Sequence, residues 1–212
     1  VRVGIVGSGR IGATAARLLV AAGHEVAIAN SRGPESLGPL VAELGHGARA
    51  ATVEEAGRFG EVVLVAIPFH AAEHLPAEAF AGKVVVDANN YFGGRDGTVE
   101  ELEDARATSS ELLAQHLAGA EVVKAFNTIH FQTLASEGRT DLPREQRLVI
   151  PLAADDEAAK RQVAELIEEI GFAALDTGTL ADGGRLQQPG GPFFNRPMLF
   201  QEAERELAAR RA

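Results

Sequence analysis

The sequence predicts an α/β fold, doubly wound around a mainly parallel sheet, with a small C-terminal α/β lobe. Three observations predict it. Short apolar runs alternate with segments of helical hydrophobic spacing along all 212 residues, the pattern of strands joined by crossover helices. The runs at 62–67 and 84–87 are apolar almost without interruption, as strands buried on both faces are. The first run ends in Gly7-Ser8-Gly9-Arg10-Ile11-Gly12, a G-x-G-x-x-G turn that passes straight into a helical pattern. That combination is Rossmann-type.

The elements follow in order. Residues 1–6 form the first buried strand, and residues 11–22 an apolar-rich helix that Gly23 stops. Residues 25–29 are the second strand. A helix over 34–44 opens on Pro34 and sets Leu37, Leu40, Val41 and Leu44 at helical spacing. A short strand at 49–51 leads to a helix from Thr52. Strands follow at 62–67, halted by Pro68, at 84–87 and at 122–126. Residues 148–152 are a further strand, after which Asp155 or Asp156 caps a helix carrying Ala159, Val163, Leu166, Ile167 and Ile170. Residues 173–176 are the last strand, 178–192 a Gly- and Pro-rich loop, and 193–211 a closing helix. A boundary near residue 140 separates residues 1–140 from a small lobe at 141–212.

Composition excludes several functions. Cysteine is absent, which removes disulfides, thiolate metal sites and thiol catalysis. Asp plus Glu outnumber Lys plus Arg by 30 to 20, a formal net charge of −10, whereas nucleic-acid binders carry basic patches or stripes. No run reaches the roughly 18 consecutive apolar residues of a membrane helix. The first strand starts at once, and no signal or transit segment is expected ahead of it. A cytoplasmic protein is expected, with small-molecule partners and neither nucleic acid nor membrane.

In the glycine turn, Gly7 permits the tight bend, Gly9 lets the backbone approach a pyrophosphate, and Gly12 allows close helix–strand packing. The free N–H groups of the first helical turn then face the phosphates. The alternative is a purely structural turn. An NAD-preferring site places a carboxylate about 20 residues on, at the end of the second strand. Here that strand ends Ala29-Asn30-Ser31-Arg32. No acid stands there to repel a 2′-phosphate, Ser31 offers a hydroxyl, and Arg32 offers a guanidinium. NADP(H) is therefore the expected cofactor, against a reading of 30–33 as a polar turn.

Ligands of open parallel sheets sit beyond the carboxyl ends of the strands. Those ends carry Ile67-Pro68-Phe69-His70, Asn89-Asn90 and Phe126-Asn127-Thr128. Pro68 would fix the backbone beside a nicotinamide, and the amides of Asn89 and Asn127 could orient polar ring groups; equally, Pro68 starts a helix and the asparagines make turns. His70 is a candidate donor to a substrate. With His74 it has metal-ligand spacing, but no third ligand accompanies them and no metal is expected. Tyr91 and Arg95 imitate a Tyr-x-x-x-Lys pair with the wrong base, and that reading is rejected.

On these segments the chain resembles the NADP oxidoreductases dependent on the deazaflavin coenzyme F-420. The likeness is carried by the glycine turn, Asn30-Ser31-Arg32, Ala66-Ile67-Pro68 and Val122-Val123-Lys124-Ala125-Phe126-Asn127-Thr128-Ile129. The Ala154-Asp155-Asp156-Glu157 helix start, Leu175-Asp176-Thr177-Gly178-Thr179-Leu180 and Arg185 carry it further. The resemblance implies direct hydride transfer between NADP(H) and coenzyme F-420. It implies NADP contacts at Ser8, Gly9, Arg10, Ile11, Ser31, Arg32, Ile67, Pro68 and Ala125, and a second-substrate cleft closed by the C-terminal lobe. Residues 89–97 and 187–192 depart from the family pattern. The competing enzyme is an NADPH-dependent reductase of flavin, ferric chelate, or a small imine or carbonyl. A non-catalytic NADPH sensor is a third reading. Phe193, Phe194 and Phe200 either pack on their own core or bury a homodimer face.

Overall fold

Alternation along each strand puts two different apolar sets on the two faces of one sheet. In the computed structural model, which describes residues 1–211, the strands are β1 Arg2–Val6, β2 Glu25–Ala29, β3 Ala48–Ala50, β4 Val62–Val65, β5 Val84–Asp87, β6 Glu121–Lys124, β7 Val149–Ala154 and β8 Ala173–Gly178. The helices are α1 Arg10–Ala21, α2 Gly38–Leu44, α3 Val53–Phe59, α4 Phe69–Ala72, α5 Gly93–Asp96 and α6 Glu100–Glu103. They continue with α7 Ser109–His116, α8 Phe131–Ser136, α9 Glu157–Glu169, α10 Asp182–Gln187 and α11 Phe200–Arg211. Among the described residues the eight strands form one sheet in the order β3-β2-β1-β4-β5-β6-β7-β8. The order reverses between β1 and β4, the switch point of a Rossmann-type fold.

Val3, Ile5, Val26, Ile28, Leu64, Val123 and Ile150 point to one face, where they pack with Leu19 of α1 and Val163 and Ile167 of α9. Val6, Ala27, Val63, Val65, Val85 and Val122 point to the other, with Ala56 of α3 and Leu113 of α7. The second face is lined by small residues where α3 approaches: a Cβ on Gly4 would lie 2.2 Å from the Ala56 carbonyl oxygen. Thr52 and Thr108 start α3 and α7 with reciprocal capping boxes to Glu55 and Glu111, satisfying N–H groups the helix cannot.

One pairing is antiparallel. β7 joins β6 through Val123↔Ala154 and Lys124↔Ala153, so the two strands meet at their carboxyl ends. The earlier residues of β7, with β8 beside them, extend past the carboxyl edge of the parallel strands. Residues on both sides of position 140 thus share a continuous sheet.

Several expectations shift in detail. Asp156 caps α9 through the Ala159 N–H at 2.7 Å, while Asp155 accepts the Leu180 N–H. The stretch 34–44 is a 3-10 turn at Pro34–Leu37 followed by α2, because Gly38-Pro39 interrupts the donor series. The loop 178–192 contains α10. The closing helix begins at Phe200, since Asn195 takes a positive φ of 52° and Pro197 follows. Phe193 and Phe200 pack with Val149, Leu175 and Leu207 of the same chain, and Phe194 is partly buried. No helix among the described residues is long and apolar enough to cross a membrane.

Candidate functional site

The carboxyl ends of β1, β2 and β4 open onto a cleft of about 780 Å³ at the switch point. Its floor is the glycine turn. Gly7 has φ +112°, and a Cβ there would lie 2.2 Å from the Ala66 carbonyl oxygen. At Gly12 a Cβ would lie 1.8 Å from the Gly7 carbonyl oxygen. Both positions are closed to any side chain by the protein itself. Gly9 is different: nothing lies within 4 Å of the Cβ it lacks. The space over Gly9 is open cleft. The first turn of α1 carries no acidic residue and no side-chain cap, so its leading N–H groups have no partner within the helix.

The β2 turn forms one wall. Asn30 Nδ2 donates to Ser8 Oγ and to Ser36 Oγ, both at 3.0 Å, and its Oδ1 accepts the Arg32 N–H at 2.9 Å. Asn30 therefore ties the glycine turn to the β2 turn. Ser31 and Arg32 are exposed to the cleft, and Arg32 makes no ion pair among the described residues. Thr52, Val53 and Glu54 of the α3 start also line it. Ala66, Ile67 and Pro68 make the opposite wall with His74, Leu75 and Pro76.

Of the sequence-predicted residues, Gly7, Ser8, Gly9, Asn30, Ser31, Arg32, Ile67 and Pro68 converge on this cleft. Asn89 adjoins it, accepting the Ile67 N–H through Oδ1 at 2.9 Å. Three other cofactor-binding candidates lie elsewhere. The Arg10 guanidinium stacks 4.9 Å from the Phe131 ring centroid, on the outer side of α1. Ile11 packs against the core under α1, and Ala125 is fully buried.

His70 is turned away from the cleft. It lines a separate cavity of about 210 Å³ with Val99, Leu113 and His116, and its Nδ1 sits 2.8 Å from Asp96 Oδ1. Burial would raise the Asp96 carboxyl. Hydrogen bonds from Arg95, the Phe92 N–H and His70 outweigh it and hold the group well below the usual carboxylate range. His70 thus anchors the 89–97 loop. With His74 it forms no metal cluster among the described residues.

Asn127 clasps three elements: Nδ2 donates to Asn90 Oδ1 at 3.1 Å and to the Gln187 main-chain oxygen at 2.8 Å. Its Oδ1 is buried without a partner. The preceding Phe126 holds φ 64°, a conformation that costs energy in a residue with a Cβ and recurs at functional sites. Sequence reasoning missed the group beneath these strand ends, Asp87, Ser110 and Lys124, all 1% exposed. The visible signal was a lysine inside an otherwise apolar run.

The family described as NADP oxidoreductase, coenzyme F420-dependent, matches residues 2–91. The hypothetical protein SMa0349 from Sinorhizobium meliloti has 34% identity, with 93% of this chain and 94% of that chain covered and a TM-score of 0.81. Metalloreductase STEAP3 of Rattus norvegicus is 32% identical over 191 residues, which are 88% of this chain and 36% of that protein. The chain thus spans about a third of the length of this curated relative. A provisionally named F420-dependent NADP reductase from Arthrobacter sp. FB24 shares the fold at 24% identity, covering 86% of this chain and 87% of its own, with a TM-score of 0.69.

Proposed function

We propose that this chain, whose residues 2–91 match the family described as NADP oxidoreductase, coenzyme F420-dependent, transfers a hydride directly between NADP(H) and the deazaflavin coenzyme F420. The observation that carries the cofactor half is the donor set of the cleft. It combines open space over Gly9, unpartnered amides at the start of α1, and an unpaired Arg32 beside Ser31 with no carboxylate at the end of β2. A dinucleotide with a 2′-phosphate fits that set.

Bound NADPH supplies the hydride from its nicotinamide ring. The backbone of Ser8, Gly9, Arg10 and Ile11 holds the pyrophosphate, and Asn30 keeps that loop in register with the β2 turn. Ser31 and Arg32 take the 2′-phosphate as a charge-assisted pair. Ile67, Pro68 and Asn89 frame the nicotinamide end, with Ala125 supporting it from below and Asn127 holding the C-terminal segment against it. In this reading residues 1–140 bind NADP(H) and residues 141–212 close the second-substrate cleft. Ring-to-ring transfer depends on alignment and water exclusion more than on an acid–base pair, which suits a site whose strand-end histidine, His70, is tied to Asp96 outside the cleft. The reading carries a cytoplasmic location and small-molecule partners.

The test is NADPH oxidation by the purified protein with oxidised deazaflavin coenzyme, with riboflavin phosphate and a ferric chelate in parallel. Turnover with deazaflavin alone supports the proposal. Tight NADPH binding without deazaflavin turnover removes the acceptor half. A second reading, reduction of a ferric chelate or another acceptor, is favoured by the likeness to a metalloreductase across 88% of this chain. Turnover with the chelate alone would select it.

A further inference from the structure

Asp87 ends β5 and Lys124 ends β6, both 1% exposed, and Lys124 Nζ donates to Asp87 Oδ2 at 3.1 Å. Desolvating two charges offsets much of their attraction, so a buried pair by itself is weak evidence of stabilisation. This pair converges on one residue. Lys124 Nζ also donates to the Asn89 main-chain oxygen, and Asp87 Oδ1 accepts the Asn89 N–H at 3.0 Å. Ser110 Oγ of α7 donates to Asp87 Oδ2 at 2.7 Å and completes the group. Both backbone polar groups of Asn89 are therefore held by buried charges.

The side chain of Asn89 is held too. Its Oδ1 accepts the Ile67 N–H, and a flipped amide would set N–H against N–H, so the orientation is determined. Nδ2 is left as a buried donor with no partner in the protein, which native structures rarely tolerate without a reason. Ile67 itself lines the cleft.

We propose that Asp87, Lys124 and Ser110 are positioning residues for the nicotinamide end of the cleft. They hold Asn89, and through it the Ile67 backbone, so that Asn89 Nδ2 serves the carboxamide oxygen of the ring. The proposal rests on the reading of the cleft as an NADP(H) site.

Two probes separate the two ideas: NADPH, and adenosine 2′,5′-bisphosphate, which has the 2′-phosphate but no nicotinamide. The variant is the double substitution Asp87→Asn with Lys124→Met, which removes both charges together and avoids leaving one buried alone. Calorimetric titration should show NADPH weakened roughly tenfold, the scale of one lost hydrogen bond, with the bisphosphate unchanged. Ser110→Ala should give the same pattern in smaller degree and stands in if the double variant does not fold. Equal losses for both probes, or no loss for either in a folded variant, would overturn the positioning role alone. A wild type that binds neither probe would overturn the cleft assignment and this inference with it.

Discussion

Replacing Gly9 with alanine should separate folding from binding. Gly9 has φ −72° and ψ −168°, extended backbone that alanine adopts without strain, and the new methyl would meet nothing within 4 Å. Such a substitution commonly stabilises by about 0.4–1 kcal/mol, because the unfolded chain loses freedom. A pyrophosphate held at hydrogen-bond distance from this backbone would, however, collide with the methyl. Losing one or more charge-assisted bonds costs about 1.5–3 kcal/mol, which is roughly 10- to 150-fold in affinity. Gly12→Ala is the counterpart. Its Cβ would lie 1.8 Å from the Gly7 carbonyl oxygen, so α1 must withdraw and stability should fall by about 1–3 kcal/mol. Thermal unfolding and NADPH titration on both variants read the two effects separately. If Gly9→Ala binds NADPH as well as the wild type does, nothing approaches that backbone, and the assignment of the cleft is wrong.

Arg32→Ala should weaken NADPH by roughly tenfold or more, the scale of a lost charged hydrogen bond, and leave NADH unchanged; parallel fluorescence titrations check this, and equal losses would refute a 2′-phosphate role. Asp96 has a carboxyl held below its ordinary value. Its contribution to stability should be complete above the unfolded-chain pKa of about 4 and be lost as pH falls through the lower folded value. Urea unfolding of wild type and Asp96→Asn should therefore differ at pH 7 and converge in acid. Ile28→Ala removes a fully buried side chain from the first face of the sheet and should cost about 2–5 kcal/mol in the same assay.

Much of the fold was legible because each strand reports its own surroundings. Alternating large and small apolar residues in β2, Val26 and Ile28 against Ala27 and Ala29, encode two unlike faces before any partner is known. Gly7, Gly9 and Gly12 encode a turn because their requirements are local, a positive φ at one position and close approach at the next. The same locality let Asn30, Ser31 and Arg32 be read as one polar turn without an acid, since they follow directly from the end of a strand.

The remainder depended on distance along the chain. Asp87, Ser110 and Lys124 meet only because β5 and β6 pair in register and α7 lays its first turn over them; no pattern within a dozen residues states that meeting. His70 looked like a donor at a strand end, yet Asp96, 26 residues later, decides where its ring goes. Arg10 sits in the glycine turn, and Phe131 of α8 draws its guanidinium outward. The direction of β7 is also silent locally, since an apolar run pairs equally well in either sense. What the sequence by itself determined was periodicity, turn chemistry and the absence of an acid at β2, because these arise between near neighbours. The tertiary structure alone decided which charges are buried together, which way β7 runs and what Asn89 is held by, because those depend on contacts between segments that only the folded sheet brings within hydrogen-bond reach.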